Sequence, residues 1–168
     1  MLIKNSTPED LDTIFKLYKT AVDFQKTKDE TQWPLFDRTL IEQEIAENRQ
    51  WKISINDVIV CVWATTFSDA QIWEERNNDT AVYLHRIATN ADYRGHNFVR
   101  IVAKWAKSYA NENNKKYIRL DTVGNNEGLI KHYKTCGFDF LGLLQLKNTI
   151  GLPAHYENAT VSLFQISL

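Results

Sequence analysis

Residues 117–138 read YIRLDTVGNNEGLIKHYKTCGF, and the apolar period changes midway. Tyr117 to Val123 alternates, with Ile118 and Leu120 facing one way and Arg119 and Asp121 the other, which predicts a strand. Past Gly124, Leu129, Ile130 and Tyr133 share one face of a short helix. Asn126 is of a type that caps helix N-termini. Gly137 supplies the left-handed position past the helix end, and Phe138 is placed for the apolar contact of a Schellman stop.

Upstream, Phe98, Ile101, Val102, Trp105, Ala106, Tyr109 and Ala110 keep the 3.6-residue period and predict a helix over Phe98 to Ala110. Ala81 to Thr89 reads as a strand, after a polar break through Glu74, Glu75, Arg76, Asn77, Asn78 and Asp79. Between that strand and that helix lies NADYRGHN, residues 90–97. A polar turn opening onto a helix N-terminus offers unpaired N–H groups and the positive end of the dipole, a natural seat for phosphate. Arg94 adds formal charge. Gly95 permits positive φ and close approach, and Asn97 is among the few other residues that tolerate the left-handed region.

Further out, Trp51 to Ile55 and Val58 to Phe67 flank an Asn56-Asp57 turn and predict a hairpin. Leu2 to Asn5 can form a first strand. Thr7-Pro8-Glu9-Asp10 then opens a helix carrying Leu11, Ile14, Phe15, Tyr18, Ala21 and Val22. Asp37 caps a second helix with Leu40, Ile41 and Ile45, after an aromatic loop, Thr31 to Phe36. Phe140 to Leu146 and Thr160 to Ile166 are closing strands around a loop with Gly151, Pro153, His155 and Tyr156. This order implies an α+β fold, a single domain over residues 1–168, with a mixed central sheet flanked by helices on both faces.

The 168 residues are 43% hydrophobic and 24% charged, as expected of a globular chain. Lys plus Arg (20) nearly balances Asp plus Glu (21), so there is no field to collect nucleic acid or an anionic membrane. Lys104, Lys107, Lys115 and Lys116 read as a solvated helix face and turn. Cys61 and Cys136 lack CxxC spacing and sit in apolar flanks, which suits reduced thiols in a cytoplasmic protein, and no export signal or membrane span is visible. No GxGxxG follows a strand, which argues against a dinucleotide-binding Rossmann domain.

The turn TNADYRGHNFV, residues 89–99, resembles the pyrophosphate-binding segment of the GNAT (Gcn5-related) N-acetyltransferases. Arg94 and Gly95 match its Arg-Gly opening, while Asn97 and Val99 stand where that pattern has small residues. The stretch from Asn126 through Tyr133 to Gly137-Phe138 resembles the family's second signature, with the spacing intact. The resemblance implies acetyl-CoA as donor, CoA as product and a primary amine of a small molecule or peptide as acceptor. It implies direct transfer without a covalent enzyme intermediate. The sequence itself leaves the oligomeric state open between monomer and homodimer. Arg94, Gly95, His96, Asn97, Phe98 and Val99 would hold the pyrophosphate, with Asn126 as a further contact. Ile87, Ala88 and Thr89 would pair with the pantetheine arm through main chain.

An amine with a pKa of about 10.4 must lose a proton before attack, a deficit of roughly three powers of ten at neutral pH, or about 4 kcal/mol. The leaving thiolate is helped by a proton donor. The resemblance places Tyr133 as that acid, against the alternative of a core aromatic beside Leu129 and Ile130. Asn126 is equally explained as a helix cap. His85 has the intrinsic pKa of a general base, against the alternative of a strand histidine bonded to its neighbours; Glu74, Glu75 and a water chain are further candidates. Trp33 and Phe36 would wall the acceptor, with Glu75 nearby, although Trp33-Pro34 also suits simple packing of the loop. A second reading keeps the fold and drops turnover, as a non-catalytic acyl-CoA sensor or regulatory module.

Overall fold

The computed structural model describes residues 1–28 and 31–168. Its strands are β1 (Leu2–Asn5), β2 (Gln50–Ile55), β3 (Val58–Thr66), β4 (Ala81–Thr89), β5 (Tyr117–Val123), β6 (Asp139–Gln145) and β7 (Thr160–Ser167). The helices are α1 (Leu11–Thr27), α2 (Arg38–Ala46), α3 (Ala70–Trp73), α4 (Phe98–Glu112) and α5 (Glu127–Thr135). The strands form a mixed sheet in the order β1-β2-β3-β4-β5-β7-β6. Parallel pairing joins β4 to β5, the crossover through α4, and the other registered pairs are antiparallel. The chain divides into two compact units, Met1–Thr65 with His85–Phe98, and Thr66–Leu84 with Val99–Leu168.

In the first unit the hairpin turns where expected, with Asn56 at φ 48° and Asp57 at φ 62°. Two successive left-handed residues are the requirement of a type I′ turn, whose twist matches that of the strands it joins. Val60 through Ala64 are buried without alternation, so β3 is covered on both faces. Leu11, Ile14, Leu17 and Tyr18 of α1 and Ile41 and Ile45 of α2 pack with Val62 and Ala88 into one core cluster. A buried ion pair, Lys52 with Asp10, ties β2 to the start of α1.

In the second unit β5 pairs with β7 along its whole length, from Tyr117↔Ser167 to Val123↔Val161. Its ladder with β4 covers three pairs, Ala81↔Tyr117 to Tyr83↔Arg119. Sequence alternation puts Arg119 on a polar face, yet Arg119 is only 2% exposed. It donates to Gln165 Oε1 at 2.8 Å, the Arg76 carbonyl at 2.5 Å and Asp79 Oδ2 at 2.7 Å, and its guanidinium lies 4.8 Å from the Trp73 and Tyr117 ring centroids. The face is covered by α3 and the 3-10 segment Glu74–Asn78, neither of which the sequence pattern announced. A four-residue helix is too short to display a period.

Candidate active site

In the first unit, β4 ends at Thr89 beside β3, where the Asn90 N–H donates to the Val60 carbonyl at 2.9 Å. The next residues fold as an Asx turn: Asn90 Oδ1 accepts from the Asp92 N–H at 3.2 Å, and Ala91–Tyr93 make one 3-10 turn. Gly95 follows at φ 87° and Asn97 at φ 53°, and Phe98 is the buried first residue of α4. Asparagine therefore adopts the left-handed backbone at the position where the GNAT pattern has glycine. A Cβ built at Gly95 meets nothing within 4 Å, so the space over the turn is open. His96 Nδ1 lies 2.9 Å from the Tyr93 carbonyl and its ring stacks on Phe98. Arg94 is exposed, and among the described residues no carboxylate pairs with it.

His85 and Arg86 precede the Ile87–Thr89 segment on the same strand. Arg86 takes φ 52°, a break in strand geometry that a non-glycine residue adopts at a cost. Its guanidinium pairs with the buried Glu44. Burial, with help from the positive charges of Arg86 and Arg49, holds His85 down to about 3. At that value the imidazole is neutral throughout the physiological range and keeps a proton poorly. Trp33 and Phe36 lie half-buried against Tyr18, with centroids 6.0 and 5.3 Å away, and both pack on the core of α1 and α2. The Trp33 N–H donates to Gln25 Oε1 at 2.9 Å, which fixes the loop.

In the second unit, Asn126 caps α5, its Oδ1 accepting from the Leu129 N–H at 2.9 Å. At the other end the Phe138 N–H donates to the Tyr133 carbonyl at 3.2 Å and the Gly137 N–H to the Lys134 carbonyl at 3.1 Å, with Gly137 at φ 98°. These are the two bonds of a Schellman motif. The Tyr133 and Phe138 rings meet edge to face at 5.9 Å, and Tyr133 also lies 4.8 Å from Phe164. The spacing Tyr133, Gly137, Phe138 is thus a helix stop in its own right, and it sets where the half-buried phenol ring sits. Val99 is the second residue of α4 and half-buried, while Glu75 is exposed on the 3-10 segment.

Two residues that the sequence reading did not single out carry shifted acidity. Burial, aided by the neighbouring Asp121, pushes Asp69 up to about 8, and burial pushes Asp121 up to about 6 against the Tyr156 hydroxyl that donates to it at 2.9 Å. Their carboxylates lie within 4.8 Å of one another. Phe164 pairs with Leu120 in register and Leu163 with Asp121. The acids and Tyr156 therefore occupy the face of β5 opposite to the one on which Tyr133 packs. Alternation had shown that Asp121 faces away from Leu120, but the approach of Asp69 and Tyr156 depends on chain folding alone.

The chain matches the model of the acetyltransferase (GNAT) family over residues 16–138. It is 28% identical over 85 residues to the uncharacterized N-acetyltransferase YesJ of Bacillus subtilis (strain 168), covering 51% of this chain and 47% of that protein. The chain thus spans about half the length of the curated relative it matches. Among solved structures it is similar to an acetyltransferase of the GNAT family from Listeria monocytogenes 4b F2365, with a TM-score of 0.78 and 25% identity over 99% of this chain and 94% of that one. The ribosomal-protein-alanine N-acetyltransferase of Brucella melitensis shares the fold, with a TM-score of 0.69 and 17% identity over 100% of both chains. Among the described residues no helix is long and apolar enough to cross a membrane.

Proposed function

The chain belongs to the GNAT family of acetyltransferases, and from that premise we propose that it moves an acetyl group from acetyl-CoA to a primary amine of a small molecule or peptide. The observation that carries the reading is the turn after β4. Arg94, which no carboxylate among the described residues pairs with, Gly95 with open space beside it and a left-handed Asn97 lead into the N-terminus of α4, an arrangement that favours an anion.

Arg94 to Val99 would hold the pyrophosphate, and the main chain of Ile87 to Thr89 the pantetheine arm. When bound, acetyl-CoA supplies a thioester whose thiolate departs as the amine nitrogen bonds to the carbonyl carbon. Tyr133 is the proposed proton donor to that sulfur. Asn126 serves first as the cap of α5. His85, neutral at pH 7, accepts a hydrogen bond and orients the amine, and the amine's proton leaves through water. Trp33, Phe36 and Glu75 are proposed to border the acceptor. Cys61 and Cys136 are buried thiols in no disulfide among the described residues, and burial pushes the Cys61 thiol up to about 12, which suits an inert thiol in a reducing cytoplasm.

The test is titration with acetyl-CoA, followed by a panel of small and peptide amines read by thiol release. Saturable binding with amine-dependent thiol release is expected. Binding without release from any amine would favour the sensor reading, and no binding would end both.

A further inference from the structure

Phe24 is a large apolar residue near the end of α1, yet it is 40% exposed and lies outside the residues that pack against the α1 core. Its ring is occupied by cations instead. The Arg94 guanidinium lies 4.1 Å from the ring centroid and the Lys28 ammonium 5.7 Å from it. Among the described residues neither cation is paired with a carboxylate. All three residues belong to the first unit.

Two cations held around one aromatic ring, with no carboxylate paired to either among the described residues, concentrate positive charge that a polyanion neutralises. Arginine on a flexible stem loses much of its value as a phosphate ligand to rotamer entropy, and a ring under the guanidinium removes part of that cost before the ligand arrives. We infer that the end of α1 extends the phosphate site of the 90–97 turn: Phe24 is a positioning residue for Arg94, and Lys28 is a second cation for the cofactor's phosphates. This rests on the reading that the turn takes the pyrophosphate of CoA. Lys28 also lies at the C-terminus of α1, where a cation suits the helix dipole, so the test separates the two roles.

The experiment measures dissociation constants for CoA and for pantetheine, which lacks every phosphate, without any acceptor. Phe24→Leu is expected to weaken CoA about 3-fold, the scale of one exposed cation–π contact. Phe24→Tyr should restore the native value, and pantetheine should be unaffected. In an Arg94→Gln background Phe24→Leu should add nothing. Lys28→Gln should weaken CoA about 2-fold and flatten its dependence on salt. An effect of Arg94→Gln without one of Phe24→Leu would overturn the inference and leave the turn reading intact. No effect of Arg94→Gln would remove the reading on which it rests. Equal weakening of CoA and pantetheine by Phe24→Leu would mean a structural role and would also overturn the inference. If Phe24→Leu lowers the melting temperature substantially, Lys28→Gln at its exposed site decides, an unchanged salt dependence counting against.

Discussion

Tyr133 has a structural job and a proposed chemical one, and their atoms are separable. Its carbonyl takes part in closing α5 and its ring packs on Phe138 and Phe164, while only the hydroxyl can donate a proton. Tyr133→Phe should therefore fold normally, bind CoA within about 2-fold of the native chain and lose roughly 10- to 100-fold in turnover, the range of a general acid. Unchanged thiol release would remove Tyr133 from the chemistry. Gly137 is the complementary case, since its backbone conformation is the whole of its role. A side chain there finds open space but sits at φ 98°. Gly137→Ala should cost on the order of 1 to 2 kcal/mol in urea unfolding and leave cofactor affinity unchanged.

The elements differ in how much their own sequence says. Helices α4 and α5 and the β2–β3 hairpin were legible because period, caps and turn residues are local. Boundaries moved by one or two residues, as in α4, which runs to Glu112 rather than Ala110. The segment between β3 and β4 was read only as polar, and it holds α3 and a 3-10 segment that together close over Arg119. Its role lies in partners far along the chain, which no window reveals. Arg119 fastens that segment to β5 and β7 through three part-buried hydrogen bonds. Arg119→Ala should destabilise the protein by about 3 kcal/mol, at about 1 kcal/mol per bond lost, with urea unfolding as the measure. A change below about 1 kcal/mol would mean that water replaces the guanidinium at no cost.

At the scale of the whole molecule, Asp69 and Asp121 make stability depend on pH. Their folded values, about 8 and about 6, stand above the unfolded value near 3.9. From about pH 4 upward the unfolded chain has released protons that the folded chain keeps, so stability is full below that point and is lost as pH rises through 6 and 8. The steepest loss that each group can cause is about 1.4 kcal/mol per pH unit. Asp69→Asn, which imitates the protonated form, should match the native melting temperature only below about pH 4 and exceed it by a margin that grows up to about pH 8. A difference that is the same at both ends of that range would count against the shift. The fold class was legible because it sums many local signals, and the left-handed turn at 95–97 and the stop of α5 because each sits in a spaced motif; the acid pair was not, because neither aspartate has a neighbour in sequence that hints at the other. One economy runs through the chain as well. It has six glycines, and among the described residues eight others take positive φ, five of them asparagine, at 48, 56, 97, 114 and 158. Turns spelled in carboxamide rather than in glycine are open to slow chemical ageing, because asparagine is thermolabile. Hydrolysis of the Asn97 amide would put a carboxylate in the turn proposed to hold phosphate, and on that proposal cofactor affinity should fall as the protein ages.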